Sequence, residues 1–362
     1  MTKYLLSAAS ALCGLLVAAP QLPAQSAAPR YRVTFEGRPV KGLSAASLIQ
    51  LPAACTSDGT IFVHLFDPAP VISPSDPAGE FLALVPPSGD VRAIRLSDVG
   101  AIHGVRELSY YASDSEIVFL AQAFEGSTSS DEGKAADRHF YAITFGRDGK
   151  HHDTIRLDDA MNITQVGIFE SGTFLAYGFD EMSRAPRLAL LSSDGSLLKY
   201  LEPGEGTLPG SVMHKGPDGK GLAVYLSRTQ LVHRGRSIIV VQNRTDYPLL
   251  EIDEGGAIRT IRPSLPHGET VNTLIPSDGN LFARANEFKD GLVYEIDPRN
   301  GKVLKRIELN TGVNPMCAQE GKFISLQPDP NQDGVFLFFV GTLEPTANSD
   351  RRISSDPTTI AH

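Results

Sequence analysis

Nine histidines occur in the chain. Three of them, His103, His214 and His267, fall between apolar runs rather than inside them. Imidazole is the usual general acid or base near neutral pH and a common metal ligand, so these three are the first candidates for chemistry. A second group lies seven residues before a recurring polar turn: Gln165, Arg228, Asn272 and Asn314, with Pro52 and Leu108 at the matching places and Glu107 beside the latter. Facing inward, such residues would form a polar ring holding water, an ion or a ligand; the same ring also reads as a hydrogen-bonded wet channel. A third group is "DPNQDG", where Asp329, Asn331 and Asp333 precede Gly334 as in the opening of a calcium loop. Positions nine and twelve of that loop are Leu337 and Val340, so the closing carboxylate is missing, and the same residue types build ordinary turns. The expectation is no cofactor, with calcium as the alternative.

Other signatures are absent. The chain has no G-x-S-x-G, no H-E-x-x-H, no P-loop and no C-x-x-C. Cys55 and Cys317 each stand four residues before a turn glycine, Gly59 and Gly321. They read either as a disulfide or as two buried small hydrophobes, since a bridge needs Cα atoms within about 7 Å.

The elements that would position these residues come from a repeat. A polar turn followed by alternating apolar residues occurs six times: "SDGTIFVHLF", "SDSEIVFLAQ", "ESGTFLAYGF", "HRGRSIIVVQ", "SDGNLFARAN" and "QEGKFISLQ". Hairpins around glycine turns alternate with it, as in "LALLSSDGSLLKYLE" and "LVYEIDPRNGKVLKRIEL". Each pair of units makes four strands, A to D, in roughly 40 to 60 residues, the size of one propeller blade. The sixth unit is followed by one strand, "GVFLFFVGTL", without a hairpin partner. The strand-like "RYRVTFEG", Arg30 to Gly37, supplies that partner from the other end of the chain. The expected fold is all-β, a six-bladed β-propeller over residues 30–345, closed by an N-terminal strand that completes the last blade. A pair of β-sandwiches or a seven-bladed ring is the alternative.

With those repeats, the chain resembles the six-bladed β-propellers as a class. It lacks tryptophan, hence the WD dipeptide and the YWTD motif. The resemblance implies that the A–B and C–D turns share one face, and that the longer B–C and D–A connections share the other. Residues 67–79, 124–138 and 202–221 are such long connections. His151 and His152 follow a C–D turn and read as a surface pair. The class also hosts lactonase-like and strictosidine-synthase-like hydrolases and lyases, whose sites centre on a channel-mouth metal or histidine. Two functions therefore stand side by side. One is a non-catalytic propeller binding a protein, peptide or glycan through its long-loop face. The other is a hydrolase or lyase using Glu107, Asn272, Asn314, His103, His214 or His267.

Residues 1–24 read as a bacterial signal peptide, with Lys3, an apolar run and small residues before the cleavage site. A lipoprotein with Cys13 modified is the competing reading. The run is short for a membrane span. The expected destination is the periplasm or the exterior. A net charge of −9 without a basic run argues against nucleic acid as a partner. A monomer is expected, with 346–362 a polar tail.

Overall fold

The structure, a computed structural model, describes residues 28–40, 43, 50–66, 80–89, 91–96, 99, 102–125, 139–180, 182–183, 185–204, 207–208, 212–215, 221–224, 229–242, 247–277, 279–285, 291–309, 312–319, 321–332 and 335–346. Among them the chain is all-β apart from a three-residue 3-10 turn at Pro266–Gly268.

Four antiparallel four-stranded sheets follow one another. The first comprises Gln50–Cys55, Ile61–Phe66, Glu80–Val85 and Arg92–Ile94. The second comprises Ile102–Ala112, Glu116–Glu125, His139–Gly146 and His151–Arg156. The third is Asn162–Ile168, Phe174–Phe179, Pro186–Leu191 and Leu197–Leu201. The fourth is Thr229–Arg234, Ser237–Gln242, Leu249–Asp253 and Ile258–Ile261. Strands in each are labelled A to D in chain order.

An eight-stranded sheet completes the architecture. Half of it is a meander of Val271–Ile275, Leu281–Ala285, Leu292–Ile296 and Val303–Leu309. The other half is Cys317–Gln319, Lys322–Pro328 and Phe336–Pro345, flanked by the N-terminal strand Arg30–Pro39. That strand runs antiparallel to Phe336–Pro345, from Tyr31 opposite Pro345 to Pro39 opposite Leu337. It also pairs in parallel with Val303–Leu309 over Arg30 to Val33. This parallel seam was not foreseen from the sequence. Nor was a short hairpin, Val212–Lys215 with Gly221–Val224, inside the stretch expected to be a loop.

The burial pattern explains why the repeats alternate as they do. Strand B of the third sheet, "FLAYGF", is buried at every position because a neighbouring sheet covers each face. Strand D of the second sheet, "HHDTIR", lies on the rim and is largely exposed. His151 and His152 are there, His152 beside Glu116 with Nδ1 3.4 Å from Oε1.

The apolar clusters follow the chain round and return to its start. The first and second sheets share Phe62, Leu82, Phe119 and Phe145. The second, third and fourth share Leu120, Phe174, Leu188 and Ile238. The fourth packs on the following meander through Ile239, Leu281 and Tyr294. The two halves of the eight-stranded sheet meet at Val33, Val293, Ile307 and Phe323. The last half packs on the first sheet through Leu326, Phe336, Ile61 and Val63. This is a propeller-like arrangement, with the A strands innermost and the D strands outermost. Cys55 and Cys317, on facing A strands, form a disulfide with Cα atoms 5.8 Å apart.

Candidate functional site

The A strands converge on a small central cavity of about 20 Å³, room for roughly one water molecule, partly open to solvent and lined by Cys55, Tyr110, Tyr111, Gln165, Gln230 and His233, with Pro276 beside them. Its polar groups come from three sheets, so no one segment of the sequence contains it.

Gln165 reaches the cavity just beyond a local irregularity. In strand A of the third sheet, Ile163 lies opposite Gly178 and Gln165 opposite Tyr177, leaving Thr164 as the extra residue of a bulge. A bulge re-aims the side chains after it. Thr164 instead donates its hydroxyl to Tyr177 O at 3.2 Å. The Gln165 side chain makes no hydrogen bond to any described residue, so its carboxamide offers one donor group and one acceptor to whatever occupies the cavity.

Gln230 is already committed. Its Nε2 donates to Leu274 O at 3.1 Å, and its Oε1 accepts from Leu274 N at 3.2 Å and from Thr273 Oγ1 at 2.8 Å. The amide thus extends a strand-like pairing from the fourth sheet to the next meander. His233 is hydrogen-bonded on one side and faces a carboxylate on the other. Tyr111 Oη lies 3.1 Å from its Nδ1, and Asp114 Oδ2 lies 3.5 Å from its Nε2. Ser57 N donates to the other oxygen of Asp114 at 2.7 Å.

The electrostatics follow from these contacts. Burial, reinforced by the charge of Asp114, raises the Tyr111 phenol well above its usual value, so it stays a hydroxyl. Tyr110 is raised by burial and then by Glu107. Asp114 is pushed up by burial, but hydrogen bonds from Ser57 and the neighbouring His233 outweigh this and hold its carboxyl below the ordinary range.

The residues singled out in the sequence scatter. Glu107 does not line the cavity; it turns to His64 of the first sheet, Oε2 lying 3.5 Å from Nε2. The reason is a second bulge, at Leu108, which shifts the register of that strand. Asn314 accepts from Arg284 Nη2 at 2.7 Å, joining the halves of the eight-stranded sheet. Asn272 is itself the extra residue of a bulge. The polar ring is therefore broken by a strand irregularity at two of its positions, Leu108 and Asn272. His103 lies within strand A of the second sheet, His214 in the added hairpin and His267 in the 3-10 turn, in three separate elements. Their side chains, and Arg228 and Asp333 entirely, lie outside the described residues, as do 67–79 and 126–138. Asp329 Oδ1 accepts from Asn331 N at 2.8 Å, the hydrogen bond of an Asx turn.

The groups that the sequence did not reveal were Tyr110, Tyr111, Gln230 and His233. One signal pointed at Tyr111: it stands four residues before Ser115, as Cys55 and Cys317 stand before their turn glycines. His233 carries no such mark.

No family model matches the chain, and no curated protein is significantly similar to it. Solved structures resemble it only loosely. Glutaminyl cyclase from Myxococcus xanthus is 12% identical, with 88% of this chain and 100% of that one covered and a TM-score of 0.39. The GH43 protein BlXynB of Bacillus licheniformis is 11% identical, covering 87% and 61%, with a TM-score of 0.33. A neuraminidase-like protein of a little yellow-shouldered bat influenza A virus is 13% identical, covering 83% and 98%, with a TM-score of 0.37. Likeness at this level assigns no activity.

Proposed function

We propose that the chain is an exported six-bladed propeller that binds a peptide or glycan without transforming it. The ligand places a polar group in the central cavity. The blade count is supported by six four-stranded units, four separate and two joined in the eight-stranded sheet, whose clusters form a cycle. Export is supported by the N-terminal apolar segment and by a disulfide, which persists in oxidising compartments.

One observation carries the binding reading. Among the described residues that line the cavity, the polar side chain with neither its donor nor its acceptor engaged is the carboxamide of Gln165. An amide recognises hydroxyls and peptide groups by pairing a donor with an acceptor, and it transfers no proton. The group with acid–base capacity, His233, is enclosed between Tyr111 and Asp114. The test is to screen the mature protein on peptide and glycan arrays and to titrate hits by calorimetry. Gln165→Ala should weaken binding about tenfold, the value of roughly one hydrogen bond left unmade. Unchanged affinity in that variant would remove the cavity from the argument.

A second reading, a hydrolase or lyase, is favoured by the Tyr111–His233–Asp114 line, in which a hydroxyl, a base and an orienting carboxylate stand in order. Mass spectrometry of the array ligands after incubation separates the two: a ligand altered by the wild type and left intact by His233→Gln selects the enzyme.

A further inference from the structure

Around the turn-side end of the channel, hydrogen bonds tie one sheet to another in a belt. Gln319 Nε2 donates to Thr56 O, and Ser57 N to Asp114 Oδ1 at 2.7 Å. Arg234 Nε donates to Gly279 O at 3.2 Å, and Ala318 N to Pro276 O at 2.9 Å. Between the second and fourth sheets the link is Tyr111 with His233, and it passes over the third sheet. Gly167 of the third sheet makes this crossing possible. A Cβ there would meet Ile238 Cδ1 at 2.9 Å, Tyr111 Cε2 at 3.4 Å and Leu231 Cδ1 at 3.5 Å. Where a side chain would hold the flanking strands apart, its absence lets them touch.

We propose that His233 is a proton-operated latch in this belt, binding Tyr111 alone when neutral and both Tyr111 and Asp114 when protonated. A neutral imidazole carries one N–H. With Tyr111 donating to Nδ1, that hydrogen sits on Nε2. This atom is buried and has no hydrogen-bond partner, because Asp114 Oδ2 at 3.5 Å is too far for a sound N–H···O bond. One proton taken from solvent puts N–H groups on both nitrogens. Nδ1 then donates to the Tyr111 oxygen, and Nε2 becomes a cationic donor facing a carboxylate, the stronger kind of hydrogen bond.

The other charges around the ring are spoken for. Arg147 is paired with Asp58 and donates to Asp114 O at 3.3 Å. Arg234, on the same strand as His233, is paired with Glu251 at 2.5 Å. The third sheet presents uncharged Gln165, and the first presents Cys55, held in its disulfide. Asp114 therefore supplies the counter-charge, and its depressed titration keeps it ionised throughout the range in which a histidine gains its proton. The added bond is present when the imidazole is cationic and absent when it is neutral. The latch is independent of what fills the cavity.

The experiment is thermal unfolding of the mature protein from pH 5.0 to 8.5, with wild type, His233→Gln and Asp114→Asn. Across that range the wild-type Tm should fall by about 2 °C more than that of either variant. Superimposable profiles for wild type and His233→Gln would overturn the latch. Nitrogen-15 NMR of the wild-type imidazoles decides the case even if the variants fail to fold. The His233 signals, assigned by through-bond correlation to the sequentially assigned backbone of the wild type, should show two N–H groups at pH 5 and one at pH 8.5. Signals that do not change over that range would refute the proposal.

Discussion

Replacing both Cys55 and Cys317 by alanine tests how this ring is held together. The bond spans a sequence separation of 262 residues, and Cys317 is fully buried while Cys55 is 7% exposed. A cross-link acts mainly by restricting the unfolded chain, and the restriction grows with the logarithm of the loop it closes. For a loop of this length the chain-entropy estimate at 25 °C is about 5.6 kcal/mol. That figure is a ceiling, because unfolded chains keep residual structure, and a loss of about 4 kcal/mol is the expected outcome. The folded ring should survive the change. Its closure also rests on nine residue pairs between Arg30–Pro39 and Phe336–Pro345 and on the apolar cluster joining the first sheet to the last. Urea unfolding followed by far-UV circular dichroism gives the assay, with wild type unfolded in a phosphine reductant as the internal control. Variant and reduced wild type should share one midpoint, well below that of the oxidised protein, with identical native spectra. A loss under about 1 kcal/mol would refute the entropic account. A variant without native strand signal would refute the claim that the terminal strand pairing and the apolar cluster keep the ring closed without the bond.

The closing strand and the turn-side contacts give two more tests. Val33 is 1% exposed at the seam, against Ile307 and Phe323. Val33→Asp buries an unpaired carboxylate there and should cost at least about 3 kcal/mol, read as a lowered urea midpoint, whereas Thr34→Asp on the exposed side of the same strand should cost under about 0.5 kcal/mol. Asp58 is pushed up by burial but held down more strongly by hydrogen bonds from Thr56, from Thr60 N and from Arg147, which bring its pKa to about 2 from 3.8. Since the folded value is the lower one, its stabilising contribution is complete above about pH 4 and is lost as pH falls toward 2. Acid unfolding of Asp58→Asn should therefore be flatter than wild type between those limits, and a parallel acid limb would show that the contact with Arg147 adds nothing.

Much of the architecture was legible because two periodicities in the sequence have one physical cause each. "FLAYGF" alternates poorly and is rich in apolar residues because sheets cover both its faces. Gly59 and Gly172 mark A–B turns because their φ values of 81° and 82° are open to glycine at little cost. The pairing of Arg30–Pro39 with the last strand was foreseeable from a missing partner. The candidate site was far less legible. A position seven residues before a turn faces the channel only if the strand from there to the turn is regular, and bulges at Leu108 and Asn272 fall on two such positions. Gln165 lines the cavity as expected, because its bulge lies one residue earlier, at Thr164, and the strand from Gln165 to the turn is regular.

Local chemistry along the chain determined the strands, their turns, the four-stranded unit and the strand that returns to complete the circle. These depend on alternation and on backbone freedom, which are properties of neighbouring residues. Only the tertiary structure decided which side chains meet. Tyr111 and His233 are 122 residues apart, and their contact across the third sheet depends on the space left by Gly167. Such a contact is set by how sheets pack around a common centre, and no spacing within a single strand encodes it.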